Sequence, residues 1–350
     1  MASAIIYVFH KQGAKNHFVA LEFLAKKKGL TVKYREFSVV TKFFKSIRTS
    51  DFKMFFEQFV NLGFMIGLVF SRQKKIVLGI APFDYQLGFL LKILKNHYVY
   101  YHSSWSCWDK SFHPKKKKLN QKVFENWKYF LEKKAVHIFC VNKQGKNELI
   151  KNYNLPENNI SVVHHALNPI FATREFSEKK EKSFIYYGRL VPQKGIEEVL
   201  NYFSQNKKAT FTVIGDGKLK PMLEKHASEN KNIRFLNKIS NKKELKKEIA
   251  QHEYLVLNSL RNSKWEELFG LVIIESMSQG VVPISTKHSG PKEIIKPETG
   301  FLFEEGNLSA ALDLALSLNS TERQTMAKNG IQESKKYLPE KIAEKWKAIL

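Results

Sequence analysis

Cysteine is nearly absent from this sequence. The two that are present, Cys107 and Cys140, form neither a disulfide framework nor a zinc-binding pattern, so a reducing compartment is expected. The N-terminus also lacks a basic region, and its apolar run is short, which favours a first strand over a signal peptide. A hydrophobic content of 43% argues against disorder, and 350 residues suit two domains.

Acidic residues are scarce relative to basic ones. Lys and Arg number 58 and Asp and Glu 33, which gives a net charge of +25. Residues 1–172 carry 28 basic and 10 acidic residues, or +18, and the remainder carries 30 and 23, or +7. This field favours an anionic partner: a phosphorylated substrate, an anionic membrane surface or nucleic acid. A Lys-rich soluble protein accounts for the charge equally well. Neither a zinc pattern nor a recognition-helix motif is present, so we expect no nucleic-acid partner.

Long apolar runs are missing except at residues 54–70. This run is shorter than the roughly 20 residues that span a bilayer, and Glu57, Gln58 and Asn61 interrupt it. Two basic segments lie nearby: 42–48, in which Phe and Ile are interleaved with Lys and Arg, and 72–75. Aromatic residues beside Lys and Arg suit a headgroup interface. Two interpretations stay open: a helix on an anionic membrane surface, and a packed helix with a solvated basic edge.

Short apolar runs alternate with helical patterns along the whole chain. The alternation predicts parallel sheets covered by helices on both faces. It is interrupted at residues 172–182, a charged segment without periodicity that is typical of a linker. We therefore expect an α/β fold of two Rossmann-like, doubly wound domains facing a cleft, with ligands beyond the carboxyl ends of the strands. The predicted strands are 4–9, 31–37, 75–80, 97–103, 137–142, 160–165, 183–188, 209–217, 233–238, 254–259, 281–286 and 300–303.

Two cations stand at the end of a predicted strand in the second half. In "YYGRLVPQKGIEEVL" (186–200) the strand ends at Gly188 and a helix opens near Gly195, so Arg189 and Lys194 lie between them. Backbone N–H groups at a helix entrance, together with two cations, suit a pyrophosphate. A tight turn with solvated charges is the alternative. The following Gly-x-Gly of "VIGDG" (213–217) lacks a third glycine and indicates a structural turn.

Two carboxylates bound an apolar run in "EELFGLVIIE" (266–275). Gly270 is the expected start of a helix and a point where a ligand approaches the backbone. Glu267 would lie just before that helix and Glu275 one turn into it. Carboxylates accept paired hydrogen bonds from vicinal hydroxyls, so both suit a hydroxyl-rich ligand. The alternative for Glu275 is a cap or a pairing with Lys.

These motifs, in this order, resemble the nucleotide-sugar half of retaining glycosyltransferases of the GT-B architecture, family 4 (glycosyl transferases group 1). The first half resembles that family more weakly, in its glycine loop, its active-site His turn and its last strand. The resemblance implies an acceptor-binding domain at 1–172, a nucleotide-sugar domain at 173–336, and a terminal helix 337–350 that packs back on the first domain. The segments that match are 188–195, 213–217, 235–240, 266–275, 280–286, 289–303 and, more weakly, 10–29, 102–105, 160–171 and 338–350.

The resemblance also implies roles for individual residues. Arg189 and Lys194 would hold the donor diphosphate beside Gly188, Glu267 would contact the donor sugar, and Glu275 would bind the ribose hydroxyls. The other predicted site residues are Phe269, Gly270 and Leu271 (backbone N–H groups to sugar and phosphate), Lys238 and Ile239 (beside the base), and His102 with the Gly13–Ala14 loop (closing the site from the first domain). Departures from the family pattern are Ala14 and Asn237 in place of Gly, and Asn168 in place of Asp; His164 and His165 either face the cleft or belong to core or turn.

The expected reaction moves a sugar from a nucleotide-diphosphate donor to a hydroxyl of a glycan or polyprenyl-diphosphate-linked acceptor, with retention of configuration. The chain has no Asp-x-Asp, so neither a metal nor another cofactor is expected. If Glu275 binds ribose, only Glu267 is near the anomeric carbon, which favours front-face transfer without a protein nucleophile. Bacterial surface-polysaccharide assembly is the expected setting, in the cytoplasm and peripherally on the inner face of the cell membrane. The alternatives are a nucleotide-sugar epimerase or phosphorylase of the same architecture and, from another class, a basic nucleic-acid-binding protein.

Overall fold

A computed structural model describes residues 5–11, 15–111, 119–263 and 265–350. The chain divides into two compact units: Met1–Ala166 with Pro339–Leu350, and Leu167–Leu338. The sequence placed the division at 172 and 336. Residues 167–172 and 337–338 belong to the second unit instead. The Gln279 amide helps to hold the first of these segments, because it donates to the backbone carbonyls of Phe171 and Thr173.

The first unit is built on a parallel sheet whose strand order, over the described residues, is β2-β1-β3-β4-β5-β6. Valine, isoleucine and aromatic residues predominate in the inner strands, where both faces are buried, whereas the edge strand β2 has no buried residue. Its strands are β1 Ile5–His10, β2 Thr31–Glu36, β3 Lys75–Gly79, β4 Tyr98–Ser103, β5 Ala135–Cys140 and β6 Ile160–Val162. Its α-helices within Met1–Ala166 are α1 Val19–Lys27, α2 Val39–Arg48, α3 Phe52–Val69, α4 Leu87–Ile93, α5 Gln121–Tyr129 and α6 Lys143–Asn152.

The second unit repeats this plan, with strand order β12-β11-β10-β7-β8-β9 in the part of it that the structure describes. Its strands are β7 Ser183–Arg189, β8 Thr210–Asp216, β9 Ile233–Asn237, β10 Tyr254–Leu257, β11 Val282–Thr286 and β12 Phe301–Phe303. Its helices are α7 Ile196–Gln205, α8 Lys220–Glu229, α9 Lys242–Ala250, α10 Leu271–Ser278, α11 Pro291–Ile294, α12 Leu308–Ser317 and α13 Ser320–Ser334. Every predicted strand is present, and the predicted α/β class with two doubly wound parallel sheets is confirmed.

The segment predicted as a linker is packed on the second unit. The Lys179 ammonium donates to the carbonyls of Ala250 and His252, at 3.1 and 2.7 Å, and Glu175 pairs with Lys246. Burial lowers the pKa of Lys179 to about 7. Its charged, aperiodic sequence suggested a solvated connection, but three-dimensional contacts with helix ends that are distant in sequence hold it in place.

The C-terminal segment belongs to the first unit. It consists of α14, Pro339–Ala343, and a 3₁₀ helix at Glu344–Ile349. Trp346 is buried, with ring centroids 4.3 Å from Phe139 of β5 and 5.8 Å from Phe18. A fully buried indole contributes a large apolar area, so this segment completes the first core although it is far from β1–β6 in sequence.

Candidate active site

The predicted cation-bearing turn follows β7. Arg189 is the last residue of the strand and is exposed, opposite Asp216 of β8 in the parallel register. The Tyr186 hydroxyl donates to the Arg189 carbonyl at 2.8 Å, and Glu267 and then Arg189 act electrostatically on that phenol. Tyr186 therefore lies within the fields of both of these predicted site residues.

Lys194 closes a 3₁₀ turn, Pro192–Lys194, and Gly195 then begins α7 in the left-handed conformation with φ 57°. A side chain at Gly195 is excluded twice: by the left-handed φ, and because its Cβ would lie 2.1 Å from the Asn258 carbonyl oxygen. The Asn258 amide also donates to the Gly195 carbonyl at 3.1 Å. The end of β10 thus fixes where Lys194 stands.

Gly195→Ala is expected to lower the free energy of unfolding by about 3 kcal/mol or more, because strain and a backbone clash coincide. Gly29→Ala is the matched control: its φ is 66°, but nothing lies within 4 Å of its Cβ position. The control should cost only the left-handed strain, about 1–2 kcal/mol. Denaturant titration of both variants measures the difference, and equal losses would contradict the close packing of Asn258 on this turn.

The structure pairs Lys194 with Glu267. The two side chains form a largely buried ion pair, and the Lys194 ammonium also lies 4.9 Å from the ring centroid of Trp265. The Ser259 hydroxyl donates to the same carboxylate oxygen at 3.2 Å. The cation predicted to bind the leaving group and the acid predicted to contact the sugar therefore form one ion pair.

The backbone of Glu267 is fixed as well. Its N–H donates to Nδ1 of buried His288 at 2.9 Å, so Nε2 carries the ring proton and donates to Glu305, also at 2.9 Å. The Glu267 carbonyl accepts from the Gly290 N–H at 3.1 Å. These bonds connect the loop before α10 to the ends of β11 and β12, and they fix the backbone of Glu267 without relying on Lys194.

Gly270 starts α10, as the sequence predicted. It adopts φ 90°, and a Cβ there would lie 2.8 Å from Ile273 of its own helix. Phe269 is buried ahead of it, and Leu271 is the first helical residue. The first N–H groups of a helix have no partner within it and favour an anion. This end of α10 suits the predicted contact with a phosphate or a sugar oxygen.

Glu275 is held by Tyr187. The Tyr187 hydroxyl donates to the Val272 carbonyl at 2.8 Å, and it lies 3.5 Å from the Glu275 carboxylate and 3.1 Å from the Ser276 hydroxyl. Burial raises the pKa of Glu275 to about 7, while the charge of Lys242 and the tyrosine hydrogen bond oppose that rise. The carboxyl group therefore titrates near neutral pH and lies next to a residue that lines a cavity.

That cavity, of about 440 Å³, lies beyond the carboxyl ends of three adjacent strands, β7, β8 and β9. "VIGDG" contributes to it, so this segment is more than the structural turn that the sequence indicated. A Cβ at Gly215 would lie 2.1 Å from the Gly188 carbonyl oxygen, so glycine lets β8 approach the cation-bearing turn. The residues that line the cavity are Tyr187, Gly188, Arg189, Ile214, Gly215, Asp216, Lys238, Ile239 and Leu245.

Among the site residues predicted in the first half, His102 is buried at the end of β4 and stacks on Trp346 with ring centroids 5.4 Å apart. Burial and then the charge of His17 lower the pKa of His102 to about 3, so its imidazole is neutral near pH 7. His165 is also buried and stacks on His17 at 4.3 Å. Gly13 and Ala14 lie outside the described residues, and the predicted closing of the site by these groups stays a prediction.

Several residues of this site had no role in the sequence prediction. Asn258 and Ser259 directly follow β10, and polar residues at a strand end were the signal that could have revealed them. Tyr187 faces Glu275 from inside a strand that looked purely apolar. Trp265 and His288 reach the site through loops, and no local pattern marks either of them.

Residues 170–333 match the family model of glycosyl transferases group 1. The second unit is therefore a glycosyltransferase domain, which confirms the predicted transferase class for this half of the chain. An uncharacterized glycosyltransferase of Methanocaldococcus jannaschii, MJ1607, is 25% identical over 198 residues, which are 51% of this chain and 49% of that protein. The matches span about half or less of the length of the curated relatives.

Solved structures resemble the whole chain. Alr3699/HepE of Anabaena, in complex with UDP, is 12% identical with a TM-score of 0.67, and the match covers 98% of each chain. WaaG, a glycosyltransferase involved in lipopolysaccharide biosynthesis, is 13% identical with a TM-score of 0.65, covering 97% of this chain and 99% of that one. At these identities the likeness shows the fold, that of GT-B glycosyltransferases with two Rossmann-like domains.

Proposed function

We propose that this protein is a retaining glycosyltransferase that moves a sugar from a nucleoside-diphosphate donor to a hydroxyl of a glycan or lipid-linked acceptor. The proposal is based on three features that lie together at the carboxyl ends of the strands of one sheet. They are the cavity, the exposed cation Arg189 and the largely buried Lys194–Glu267 pair. Bacterial surface-polysaccharide assembly, in the cytoplasm and peripherally on the inner membrane face, is the setting that we propose. The UDP complex of Alr3699/HepE and the lipopolysaccharide role of WaaG support these assignments.

The base, the ribose and the diphosphate of the donor would lie one after another along the carboxyl ends of the strands. The base enters the cavity beside Lys238 and Ile239, and the ribose hydroxyls reach Glu275 next to Tyr187. The diphosphate then reaches Arg189, Lys194 and the first N–H groups of α10. Two observations support this order: Tyr187 lines the cavity and lies beside Glu275, and Arg189 lines the same cavity in the segment that leads to Lys194.

The chemical step develops opposite charges. As the sugar–phosphate bond breaks, the sugar gains oxocarbenium character and the diphosphate gains negative charge. Arg189 and Lys194 stabilise the diphosphate, and they need no reorganisation because the turn at Gly195 holds Lys194 in place. Glu267, released from part of its pairing when the diphosphate binds Lys194, accepts hydrogen bonds from the sugar. With Glu275 assigned to ribose, no second carboxyl is assigned to the anomeric carbon, so we propose front-face transfer with retention.

A nucleotide-sugar screen tests this proposal. We expect UDP- or other nucleoside-diphosphate sugars to raise the melting temperature, since a ligand that binds only the folded state stabilises it. NMR of the product formed with acceptor should show the anomeric configuration of the donor. Epimerised donor without acceptor, or sugar 1-phosphate release by inorganic phosphate, would instead establish the epimerase or phosphorylase. Absence of stabilisation by every nucleotide sugar would contradict donor binding.

A further inference from the structure

Helix α3 reverses the usual distribution of side chains. Gln58 and Asn61 are buried, while Phe52, Phe56 and Ile66 are exposed. The buried polar groups are used locally: the Gln58 amide donates to the Met54 carbonyl, and Asn61 accepts from the Glu36 N–H at 3.1 Å. A soluble surface helix normally places its apolar stripe against the core. The outward stripe of α3 therefore needs a partner outside this fold.

Helix α2 extends the same surface. Phe43 packs on α3, with its ring centroid 5.0 Å from that of Phe55 and 6.1 Å from that of Phe59, and it joins the two helices. The exposed apolar side chains of the pair form what we name the apolar face. Its members are Val40, Phe44, Ile47, Phe52, Phe56, Phe59, Val60, Leu62, Ile66, Val69 and Phe70. Monomeric proteins rarely expose so large a contiguous set, and such patches mark sites of interaction.

The charge around the apolar face is cationic. Residues 39–74 contain six basic residues and two acidic ones, and the acid Asp51 is used to cap α3 by accepting from the Met54 N–H. Basic residues beside exposed Phe and Ile match an anionic lipid surface, because the basic side chains can bind the headgroups while the apolar ones contact the acyl chains. The basic residues are Lys42, Lys45, Arg48, Lys53, Arg72 and Lys74.

The sequence predicted a run too short to span a bilayer, but helix α3 has 18 residues and is long and apolar enough to cross one by length and composition; only 17% of it is buried. Its contacts favour a position in the plane of the surface. Asn61 is bonded to β2, and the Phe64 ring packs on Tyr7 and Phe9 of β1, with centroids 4.7 and 5.6 Å apart. A spanning helix would have to break these contacts and place Gln58 and Asn61 in hydrocarbon.

A second cavity adjoins the apolar face. Its volume is about 520 Å³, it lies at the carboxyl ends of β1 and β2, and α3 forms one wall. Val60 belongs to both the wall and the apolar face. Carboxylate, amide, phenol and cationic groups around it suit hydroxyls and a nearby phosphate. Its lining is His10, Lys15, Asn16, Tyr34, Arg35, Glu36, Glu57, Val60 and Asn61.

We propose that the apolar face docks on an anionic lipid bilayer and that this second cavity receives the hydroxyl-bearing headgroup of an acceptor carried in that bilayer. The docking requires only the surface just described. The acceptor role deepens the proposed function and rests on it.

Vesicle flotation of the full chain tests the docking. We expect the protein to float with phosphatidylglycerol vesicles, to float far less with phosphatidylcholine vesicles, and to be released by salt. Phe52→Ser with Ile66→Ser should reduce binding at least tenfold. The matched control is Phe176→Ser with Leu314→Ser in the second unit, because the exposed fractions are similar: 75% and 52% against 90% and 54%. Equal loss in both variants, or no flotation of the wild type, would overturn the docking.

Charge reversal separates the lipid from a protein partner. Lys45→Glu, Arg48→Glu and Lys53→Glu together should abolish the preference for phosphatidylglycerol, whereas the same change at Lys208, Lys231 and Lys243 of the second unit should preserve it. A wild type that forms dimers in solution and becomes monomeric on Phe52→Ser with Ile66→Ser, without binding vesicles, would instead make the face an interface between copies.

A fluorophore locates the second cavity relative to the bilayer. An environment-sensitive dye on Asn16→Cys, in a Cys107→Ser background, should shift to the blue on phosphatidylglycerol vesicles, whereas the dye on Lys208→Cys should not. No shift at Asn16 in a floating protein would overturn the acceptor role. Nucleotide binding by the Phe52→Ser, Ile66→Ser variant should be unchanged. A protein that floats but transfers no sugar refutes the proposed function and leaves the docking intact.

Discussion

Arg189→Ala and Lys194→Ala are each expected to lower the turnover rate by about 10²–10³ while the fold persists. Removal of one preorganised group that stabilises developing negative charge typically costs this much. Both cations belong to the turn between β7 and α7, whose position is set by Gly195 and Asn258 rather than by the side chains themselves. Steady-state rates with saturating donor, together with circular dichroism, measure the effect.

The two variants should differ in stability. Arg189 is exposed, so its loss should change the free energy of unfolding little. Lys194 is paired with Glu267 in a largely buried position, and its removal leaves that carboxylate with Ser259 as its described side-chain partner. Truncating one partner of a buried pair is strongly destabilising. Adding Glu267→Gln to Lys194→Ala should therefore restore stability without restoring turnover.

Lys208→Ala is the matched control, because Lys208 is exposed in the turn before β8. It lies at the amino-terminal end of that strand, away from the carboxyl ends where Arg189 lies. It should leave rate and stability unchanged. Arg189→Lys and Lys194→Arg should recover part of the rate, since charge is kept while geometry changes. Near-normal turnover in both alanine variants would refute the assignment of the diphosphate to this turn.

The strands were predictable because their composition reports burial directly. Most of these apolar, β-branched runs are buried, with the edge strand β2 as the exception, and alternation with helices predicts a parallel sheet. The motif at 188–195 was predictable for the same reason: a strand end, a glycine and a helix start place Arg189 and Lys194 at the carboxyl edge. Gly270 was placed correctly from its position before an apolar helical run.

Contacts between segments distant in sequence could not be predicted from the sequence in this way. The Lys194–Glu267 pair joins positions 73 apart, and Tyr187 meets Glu275 across 88 positions. Nothing local in either segment encodes the partner. The prediction of a linker at 172–182 was wrong for the same reason, because the residues that bury Lys179 lie far along the chain. The orientation of α3 was also hidden, because a helix with an outward apolar stripe has the same periodicity as one with an inward stripe.

Glu275→Ala is expected to weaken nucleotide binding by about 10²-fold, with a smaller effect on the rate at saturating donor. The reason is that ribose hydroxyls would donate two hydrogen bonds to a carboxylate, and hydrogen bonds to charged groups contribute about 1.5–3 kcal/mol each. Calorimetry with the nucleoside diphosphate measures the loss. Glu229→Gln, an exposed acid at the end of α8, is the control and should bind normally.

The pH dependence of that affinity is the sharper test. Burial raises the pKa of Glu275 to about 7 in the free protein, and hydroxyl donors favour its ionised form. Below pH 7 a proton must leave before the ribose binds, so affinity should fall by up to about tenfold per pH unit on acidification and level off above pH 8. Glu275→Gln should bind weakly and without this slope. Affinity that rises toward acid pH would show that the carboxyl group acts as a donor, which would reverse the role assigned to it at the ribose.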